Sequence, residues 1–383
     1  MIGGYINGLG MVRSLAARGL AVAVVSTEPY DIAQYSRHVS EHARAHGLVD
    51  APEKLVELLV SRTGDWAGRV LLPTTDAALA AVGAGYDRLV SHYRIVAPSP
   101  DAIAVLLDKE RMLAAAEVVG LSTPRCHGPA TRGNPALGAV AFPVIVKPLA
   151  GHLFSARFGC KVFEARDPAQ LLAAIDRVEA AGLACRVFDL IPGRDDQIFA
   201  HCLHVDRAGR PSQGVTVRKL RQSPPGFGVA RVAEVAADPP GLADQTVALL
   251  AKIGFTGMAA AEFKFDARDG SYRFIEVNGR SVIYNALLRR AGLDMAAMAV
   301  ADLEGGLAAV RPSGWNGVWV NLLADLGYSL IDREADPISM SEFVAPYLRP
   351  VLEASWSWSD PAPFAAQWGR TLTGAASRGT RRP

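Results

Sequence analysis

Several features of secreted, membrane and nucleic-acid-binding proteins are scarce or missing in these 383 residues. The four cysteines stand far apart and form no C-x-x-C pair, so neither a zinc site nor a disulfide framework is expected. No apolar run reaches the roughly 18 residues of a membrane span, and the first residues do not resemble a signal peptide. A net charge of +2 without a dominant basic stretch argues against nucleic acid or an anionic membrane as main partner. We therefore expect a globular cytoplasmic protein.

The first 97 residues alternate helix-like and strand-like segments. Ala21–Ser26 and Val70–Pro73 are typical of buried strands, and such alternation predicts a parallel sheet flanked by helices. Ligands of these sheets bind beyond the carboxyl ends of the strands. Thr75 and Asp76, which follow the second of these strands, are therefore candidate substrate contacts.

The glycine-rich start, GGYINGLGMVR, is typical of an anion-binding turn that enters a helix. Gly8 and Gly10 fit the G-x-G of a dinucleotide fingerprint, but Arg13 stands where the third glycine should be. NAD binding therefore stays an alternative. The other use of this segment is recognition of a substrate carboxylate by the helix start, with Asn7 and Arg13 as the contacts.

The stretch Ala261–Arg280 is the most informative part of the sequence. Apolar and polar residues alternate on both sides of an Arg-Asp-Gly turn, which predicts a β-hairpin. With a connection at Ala267–Ser271, Glu262 lies opposite Glu276 and Asn278 points the same way, whereas a connection one residue shorter puts the glutamates on opposite faces. We favour the longer connection because it separates an acidic face from an apolar one. The apolar face would carry Phe263, Phe265, Ile275 and Val277.

The acidic face of this hairpin offers only hard oxygen ligands. Two carboxylates and a carboxamide suit Mg²⁺, which takes a few carboxylates and leaves its other positions to water and phosphate oxygens. The alternative is an amphipathic edge hairpin whose acidic face is merely solvated. Basic segments elsewhere in the chain favour the metal site.

One of these basic segments is a strand that ends in lysine and runs into a glycine-bounded loop. Lys147 ends FPVIVK, and the loop Gly151–Gly159 follows at once. A mobile loop of this kind can close over phosphate oxygens, with the lysine behind it as a point charge. The polar residues of the loop are His152, Ser155 and Arg157.

Two further strands have both a ligand-binding and a structural interpretation. The backbone of Cys185–Gly193 could hold a flat heterocycle such as adenine, with Asp195, Asp196 or Gln197 near a ribose, but a plain interior strand fits equally well. The segment Gly214–Arg231 carries Arg218, Lys219 and Arg221, which would complement an acyl phosphate or a triphosphate. Solvated surface charges are the alternative for these three residues.

Taken in order, these motifs resemble the ATP-grasp superfamily, and within it the carboxylate–amine ligases related to D-aspartate ligase. The resemblance rests on NGLGMVRSLAARG, VLLPTTDAAL, SPDAIAVLLDK, FPVIVKP, VFDLIPG, VRKLRQSPPGFG, EFKFD and IEVNGR, and it covers roughly residues 1–360. It implies an α/β (α+β) fold in which an N-terminal parallel α/β sheet domain, residues 1–97, precedes a two-lobed ATP-grasp domain, residues 98–310. The small lobe would span about 125–190 and the large lobe about 191–310. A C-terminal addition, 311–370, and a disordered tail, 371–383, would follow.

The resemblance also implies a role for each matching residue. ATP phosphates would lie on Lys109 and Lys147, beneath the glycine-bounded loop. The adenine would lie on the backbone of Phe188, Asp189, Leu190 and Ile191. Two Mg²⁺ ions, with Mn²⁺ as a substitute, would be held by Glu262, Glu276 and Asn278. Arg280 would lie near the transferred phosphoryl group. Beyond the resemblance, we expect Lys147, Arg218 and Arg280 to balance the negative charge that develops there. Asp189 stands where the family usually has Glu, and Gly279 where it commonly has Pro.

A carboxylate is a poor electrophile because its oxygens are bad leaving groups. Transfer of the γ-phosphoryl group of ATP makes an acyl phosphate, which an amine attacks to give an amide, ADP and phosphate. The expected reaction is therefore ligation of an acid and an amine, with amino acids or small peptides as substrates, in an enzyme type that is commonly dimeric. An ATP-grasp kinase that phosphorylates a small molecule and an NAD-dependent dehydrogenase are the alternatives.

Overall fold

The computed structural model describes residues 1–149, 154, 157–331 and 337–379. The N-terminal part contains β1 (Val22–Ser26) and β2 (Val39–Arg44), which pair in parallel, and β3 (Val70–Leu71) and β4 (Arg94–Ile95), which do the same. Ile2 links the two pairs, because it bridges Val25 on one side and Pro73 on the other. The single residue Ile2 thus takes the place of a first strand, and the predicted parallel arrangement is confirmed.

The helices of this part enclose two apolar cores, one on each face of the short strands. Val24 and Leu9 belong to one core, and Val25 and Leu55 belong to the other. Neighbouring residues of a strand therefore point into different cores, as a sheet covered on both sides requires. The helices are Ile6–Ala16, Glu53–Ser61, Thr63–Trp66, Asp76–Ala84 and Tyr86–Val90.

A four-stranded antiparallel sheet forms the next part, in the order β5-β8-β6-β7. The helix Pro168–Ala180 covers one face through Leu171, Ile175 and Val178, which pack with the strand residues Val144 and Val146. The helix is capped by the Asp167 side chain, and proline occupies its first position, as helix starts prefer. The strands are β5 (Cys126–Pro129), β6 (Val144–Pro148), β7 (Phe163–Ala165) and β8 (Cys185–Asp189).

A seven-stranded sheet is the largest element of the molecule, in the order β13-β12-β9-β10-β11-β14-β15. Its pairings are antiparallel except for the parallel pair at the β15 edge. Its strands are β9 (Ile198–Val205), β10 (Val215–Ser223), β11 (Val229–Ala236), β12 (Gly257–Asp266), β13 (Ser271–Asn278), β14 (Val318–Val320) and β15 (Val351–Glu353). Together with the parallel N-terminal strands, it confirms the α/β (α+β) class.

Helices cover both faces of this large sheet. One face packs against the helices Lys109–Val118 and Leu242–Lys252, and the other against the helices Asn285–Ala291 and Met295–Leu303. The helix Pro100–Leu107 precedes the first of these and connects the N-terminal part to the rest. Along β12, Ala259 and Ala261 face the first pair of helices, while Met258 and Ala260 face the second.

The C-terminal segment is built into the large sheet and does not form a separate addition. β14 and β15 extend it beyond β11, and the helix Leu322–Leu326 brings the fully buried Asp325 between Arg221 of β10 and Arg231 of β11. A further short helix, Met340–Val344, is closed by a capping box. The predicted addition at 311–370 therefore shares its core and its strands with the large lobe.

The chain ends in the helix Ala362–Gly379. Disorder was expected from residue 371 onward, but the helix continues to residue 379, while residues 380–383 lie outside the described part. The first turns of the helix pack through Phe364 and Trp368. The helix is thus continuous with turns that are anchored by packing.

Candidate functional site

A cleft with a volume of about 360 Å³ lies between the four-stranded and seven-stranded sheets. Its apolar lining includes Ile145, Phe188, Leu190, Ile191, Ile198 and Phe227. Its charged lining consists of Lys109, Lys147, Lys161, Lys264, Asp189, Glu262 and Glu276. Four lysines thus face three carboxylates, a balance that suits a polyanionic ligand with a flat apolar part.

The pairing of β6 with β8 sets the length of this cleft. Asp189, the last residue of β8, lies opposite Val144, and Arg186 lies opposite Lys147. Lys147 is therefore three residues, or roughly 10 Å, along the strand from the end of β8. The apolar Phe188, Leu190 and Ile191 and the cationic Lys147 therefore occupy different ends of the cleft.

The hairpin of β12 and β13 brings the two glutamates to the same wall. Glu262 pairs with Glu276, as predicted, but the register shifts immediately beyond, where Phe263 pairs with Phe274. The turn is therefore Ala267–Gly270, one residue shorter than predicted, and a bulge at Ile275 restores the pairing of the glutamates. The expected apolar face changes accordingly.

The bulge exchanges the places of two apolar residues. Phe274 is fully buried with Phe263 and Val277 in the core, whereas Ile275 lines the cleft beside Glu276. The prediction that Ile275 belongs to the buried face is wrong, because strict alternation along a strand fails where an extra residue is inserted.

Glu262 stands at the centre of a small polar network. Lys219 of β10 donates from its Nζ to Glu262 Oε2 at 2.6 Å, and both side chains are about nine-tenths buried or more. Asn278 Nδ2 lies 3.4 Å from Glu262 Oε1. The predicted metal ligands therefore sit together with a lysine that already neutralises one of them.

This donor set fits a hard divalent cation that also has ligands from outside the protein. Among the residues that the structure describes, no group of three or more His, Cys, Asp or Glu side chains converges. A bound metal would thus rely on Glu262, Glu276 and the amide oxygen of Asn278, with its remaining positions filled by water or phosphate. Mg²⁺ is bound in this way, while Zn²⁺ would need nitrogen or sulfur ligands.

The lysines at the cationic end are held close enough to influence one another. Lys109 donates from its Nζ to the carbonyl oxygen of Pro148 at 2.9 Å. Burial and then the charge of Lys147 lower the pKa of Lys109 to about 8, although Glu276 acts in the opposite direction. Burial also lowers the pKa of Lys161, against the opposing charge of Glu276. An anionic ligand would relieve the repulsion in this group.

At the other end, the last residue of β8 has a side-chain partner. His127 Nε2 and Asp189 Oδ1 are 2.7 Å apart, and the imidazole is buried while the carboxylate remains one-third exposed. The neighbouring backbone N–H of Leu190 donates to Pro143 O at 3.2 Å. Phe188, Asp189, Leu190 and Ile191 all line the cleft, and the backbone N–H of Asp189 donates to Arg125 O at 3.0 Å.

Arg280 forms a two-pronged ion pair with the N-terminal part. Its Nε and Nη2 donate to the two carboxylate oxygens of Asp76 at 2.7 and 3.0 Å. Thr75 caps the helix Asp76–Ala84 by accepting from the N–H of Ala78, which fixes Asp76 in the first turn. Although burial opposes it, the positive charge of Arg280 keeps the pKa of Asp76 below its usual value. Asp76 thus joins the parallel sheet to the end of the acidic hairpin.

Three predicted residues lie away from the cleft. Arg218 is paired with Glu234 at 2.5 and 2.8 Å, and it lines a separate surface groove together with Asp196. The neighbours of an alternating strand point to opposite faces, so Lys219 and Arg218 cannot both reach Glu262. Arg157 is exposed and lies over the ring of Phe158. These positions argue against the predicted roles of Arg218, Asp196 and Arg157, while His152 and Ser155 lie outside the described residues.

Two candidates for substrate contact have structural partners instead. Arg13 donates to Asp360 Oδ2 at 3.0 Å and to the carbonyl oxygens of Ser355 and Asp360 at 2.9 and 2.8 Å. It therefore anchors the C-terminal segment, and these contacts give it a structural role. Asn7 is buried and donates to the carbonyl oxygen of Thr74.

The glycines near the N-terminus serve packing. The helix begins at Ile6, so Gly8 and Gly10 lie within it and not in a turn before it. A Cβ atom at Gly10 would overlap the side chain of Asn285, and one at Gly8 would overlap the carbonyl of Gly3. The structure thus gives these glycines a role that needs no dinucleotide, which removes the support for the dehydrogenase alternative.

Lys161, Lys264 and Phe227 line the cleft but were not predicted to do so. Lys264 carried a sequence signal, because it lies two residues beyond Glu262 on the same strand and therefore shares its face. Lys161 lies two residues after the glycine-bounded loop, close in sequence to the other candidate phosphate ligands. Phe227 lies in a Pro/Gly loop, where no periodicity indicates the direction of a side chain.

Known proteins resemble this chain in part of its sequence and in its fold. No family model matches the chain. Its sequence is 27% identical to D-aspartate ligase of Enterococcus faecium (strain Aus0004) over 169 residues, which are 42% of this chain and 40% of that enzyme. The matched region thus spans less than half the length of this relative.

Solved structures match over a larger share of the chain. L-amino acid ligase from Bacillus licheniformis has a TM-score of 0.63 at 17% identity, covering 81% of this chain and 76% of its own. N5-carboxyaminoimidazole ribonucleotide synthetase from Thermus thermophilus has a TM-score of 0.62 at 17% identity, covering 83% and 81%. Biotin carboxylase from Campylobacter jejuni has a TM-score of 0.65 at 16% identity, covering 83% and 73%. The chain has the ATP-grasp fold.

The structure accounts for the glycine at position 279, where the family that the sequence resembles commonly has proline. Gly279 follows Asn278, and a Cβ atom there would lie 2.6 Å from Leu106 Cδ1 and 3.2 Å from the Phe255 ring. The glycine lets the chain just beyond β13 pack closely against the helix Pro100–Leu107, where a larger residue would have to displace the Leu106 side chain.

In the described part of the chain, no helix has the length and apolarity needed to cross a membrane.

Proposed function

We propose that the protein is an ATP- and Mg²⁺-dependent carboxylate–amine ligase that forms an amide or peptide bond through an acyl phosphate and releases ADP and phosphate. The observation that carries this proposal is the shared wall of Glu262, Glu276 and Asn278 opposite the lysines of the cleft. Carboxylates and cations in one cleft suit a metal-bound polyphosphate, in which the metal and the lysines both meet negative oxygens.

The apolar end of the cleft would take the adenine and the cationic end its phosphates. The roughly 10 Å between the end of β8 and Lys147 is a reasonable span from a nucleobase to the outer phosphates. Lys109 and Lys147 would hold phosphate oxygens as point charges. Lys219 would keep the Glu262 carboxylate oriented and would add positive charge where the transferred group becomes more negative.

Bound Mg²⁺ would neutralise the charge of the phosphates. The residues of the chain would provide the remaining requirements, which are orientation of the two reactants and exclusion of water from the acyl phosphate. Arg280, held by Asp76, is placed where the acidic hairpin meets the N-terminal part, and its guanidinium would bind the substrate carboxylate or the phosphoryl group that forms on it.

The substrates we infer are amino acids or small peptides. The names of D-aspartate ligase and L-amino acid ligase, which this chain resembles in part of its sequence and in fold, support this class. The Asp76 side chain is 55% exposed and is paired with Arg280. This region therefore carries groups of both charges, as recognition of an amino acid requires.

An assay of phosphate release over a grid of amino acids as acids and as amines tests the proposal. Release of ADP and phosphate should need one acid and one amine together, with an amide product detected by mass spectrometry. A stable phosphorylated product formed from one acceptor would instead indicate a kinase. Absence of Mg-ATP binding, measured by calorimetry, would refute both activities.

A further inference from the structure

The loop between β10 and β11 borders the apolar end of the cleft. Ser223 pairs with Val229, so residues 224–228 form the connection. The half-buried side chain of Phe227 lines the cleft together with Leu190 and Ile191, which directly follow β8 of the four-stranded sheet. Phe227 also lines a neighbouring groove of about 460 Å³, so its ring stands between the cleft and this groove.

The loop is held in one conformation by a single carboxylate. Asp195 accepts hydrogen bonds from the backbone N–H of Gln222 at 2.8 Å, from the Gln222 side-chain amide at 2.9 Å and from the backbone N–H of Gly226 at 2.9 Å. Gly226 has a φ of +82°, which a glycine adopts without strain. A Cβ atom at Gly228 would overlap Pro224, so the loop is also closed on itself. Phe227 is thus carried between two glycines in a fixed turn.

We propose that Phe227 stacks on the nucleobase of the bound nucleotide and that Asp195 positions it. This inference rests on the proposed function, because it assumes a nucleotide in the cleft. Lys109 and Lys147, the proposed phosphate ligands, line only the cleft, whereas Phe227 and Lys264 line both the cleft and the neighbouring groove. With the phosphates on Lys109 and Lys147, the base is the part of the nucleotide that lies beside Phe227. Leu190 and Ile191 supply the opposite apolar wall, so a flat heterocycle would be held between an aromatic ring and aliphatic side chains.

Isothermal titration of the full-length protein with Mg-ADP and with Mg-tripolyphosphate tests this role. Removing a stacked aromatic ring should weaken Mg-ADP binding by about tenfold in Phe227→Ala, while Phe227→Tyr should bind within about twofold of the wild type. Mg-tripolyphosphate, which has no base, should bind both variants like the wild type. Val229→Ala, a change at an exposed apolar residue of the same hairpin, should leave both ligands unaffected.

Asp195→Asn tests the positioning role. It should weaken Mg-ADP but not Mg-tripolyphosphate, and the double variant with Phe227→Ala should be no weaker than Phe227→Ala alone. Additive losses would overturn the role of Asp195. Wild-type affinity for Mg-ADP in Phe227→Ala, or an equal loss for tripolyphosphate, would overturn the role of Phe227. Failure of the wild type to bind Mg-ADP would instead refute the proposed function itself.

Discussion

Replacing Glu276 with glutamine should lower turnover by at least about a hundredfold without unfolding the protein. A hundredfold loss corresponds to about 2.7 kcal/mol of transition-state stabilisation. The substitution keeps the size of the side chain and removes one of the two carboxylates that face each other across β12 and β13. The Glu276 side chain is exposed in the cleft, so no buried partner is lost from the core.

The same substitution should have a second effect that depends only on charge. Glu276 raises the pKa of both Lys109 and Lys161 against the effect of burial. Without it, the pKa of each lysine should fall further.

The loss of a metal ligand should have an effect of its own. The Mg²⁺ concentration needed for half-maximal rate should rise in Glu276→Gln, because one hard ligand is gone while the phosphate ligands remain.

A steady-state assay of ADP release at varied Mg²⁺ concentrations measures both the turnover and the Mg²⁺ concentration needed for half-maximal rate. Glu57→Gln is the matched control, since Glu57 lies exposed on a helix of the N-terminal part. Unchanged melting temperature should accompany the loss of activity. Turnover of Glu276→Gln close to that of the wild type, at the same Mg²⁺ dependence, would refute the assignment of this hairpin as a metal-binding wall.

Three further predictions concern pH, the ion network and the glycines. Lys109 is cationic below its pKa of about 8, so Mg-ADP affinity measured by calorimetry should fall as the pH rises above 8. This pKa lies below the ordinary 10.5, so between pH 8 and 10.5 the unfolded chain binds more protons than the folded one. The cost of burying the Lys109 cation is therefore relieved over this range, and its contribution to the free energy of unfolding should rise with pH. A flat affinity profile would contradict the first part. Asp325→Asn should lower the free energy of unfolding by about 3–5 kcal/mol in urea titration, because it leaves Arg221 and Arg231 buried without their carboxylate; a loss below about 1 kcal/mol would show that water reaches the site. Gly10→Ala should cost about 1–3 kcal/mol of stability through overlap with a packed side chain, yet leave Mg-ADP affinity unchanged in the folded protein.

The acidic hairpin shows how far sequence reasoning reaches and where it stops. Alternation and turn residues identified both strands and the pairing of Glu262 with Glu276. The bulge at Ile275 was not predictable, because one extra residue in a strand leaves no mark in composition. The pairing was right although the predicted turn length was wrong, since a shorter turn and a bulge compensate each other.

Arg218 and Arg13 show a different limit. Both are basic residues near a candidate site in the sequence, but each has an acidic partner. Glu234 lies directly opposite Arg218 across the β10–β11 hairpin, whereas Asp360 reaches Arg13 from the C-terminal segment. These partners depend on strand register in one case and on the tertiary fold in the other, so composition and charge alone cannot separate a structural ion pair from a ligand contact. Side chains that follow one another along a strand point to opposite faces, so Arg218 and Lys219 cannot both face the same cleft.

The most direct test is a crystal structure of the protein with Mg²⁺ and a non-hydrolysable ATP analogue. The account predicts that the base lies beside Leu190 and Ile191, that the phosphates reach Lys109, and that a metal ion lies between the phosphates and the Glu262–Glu276 pair. A nucleotide bound outside this cleft, or phosphates that meet no metal at the two glutamates, would contradict it.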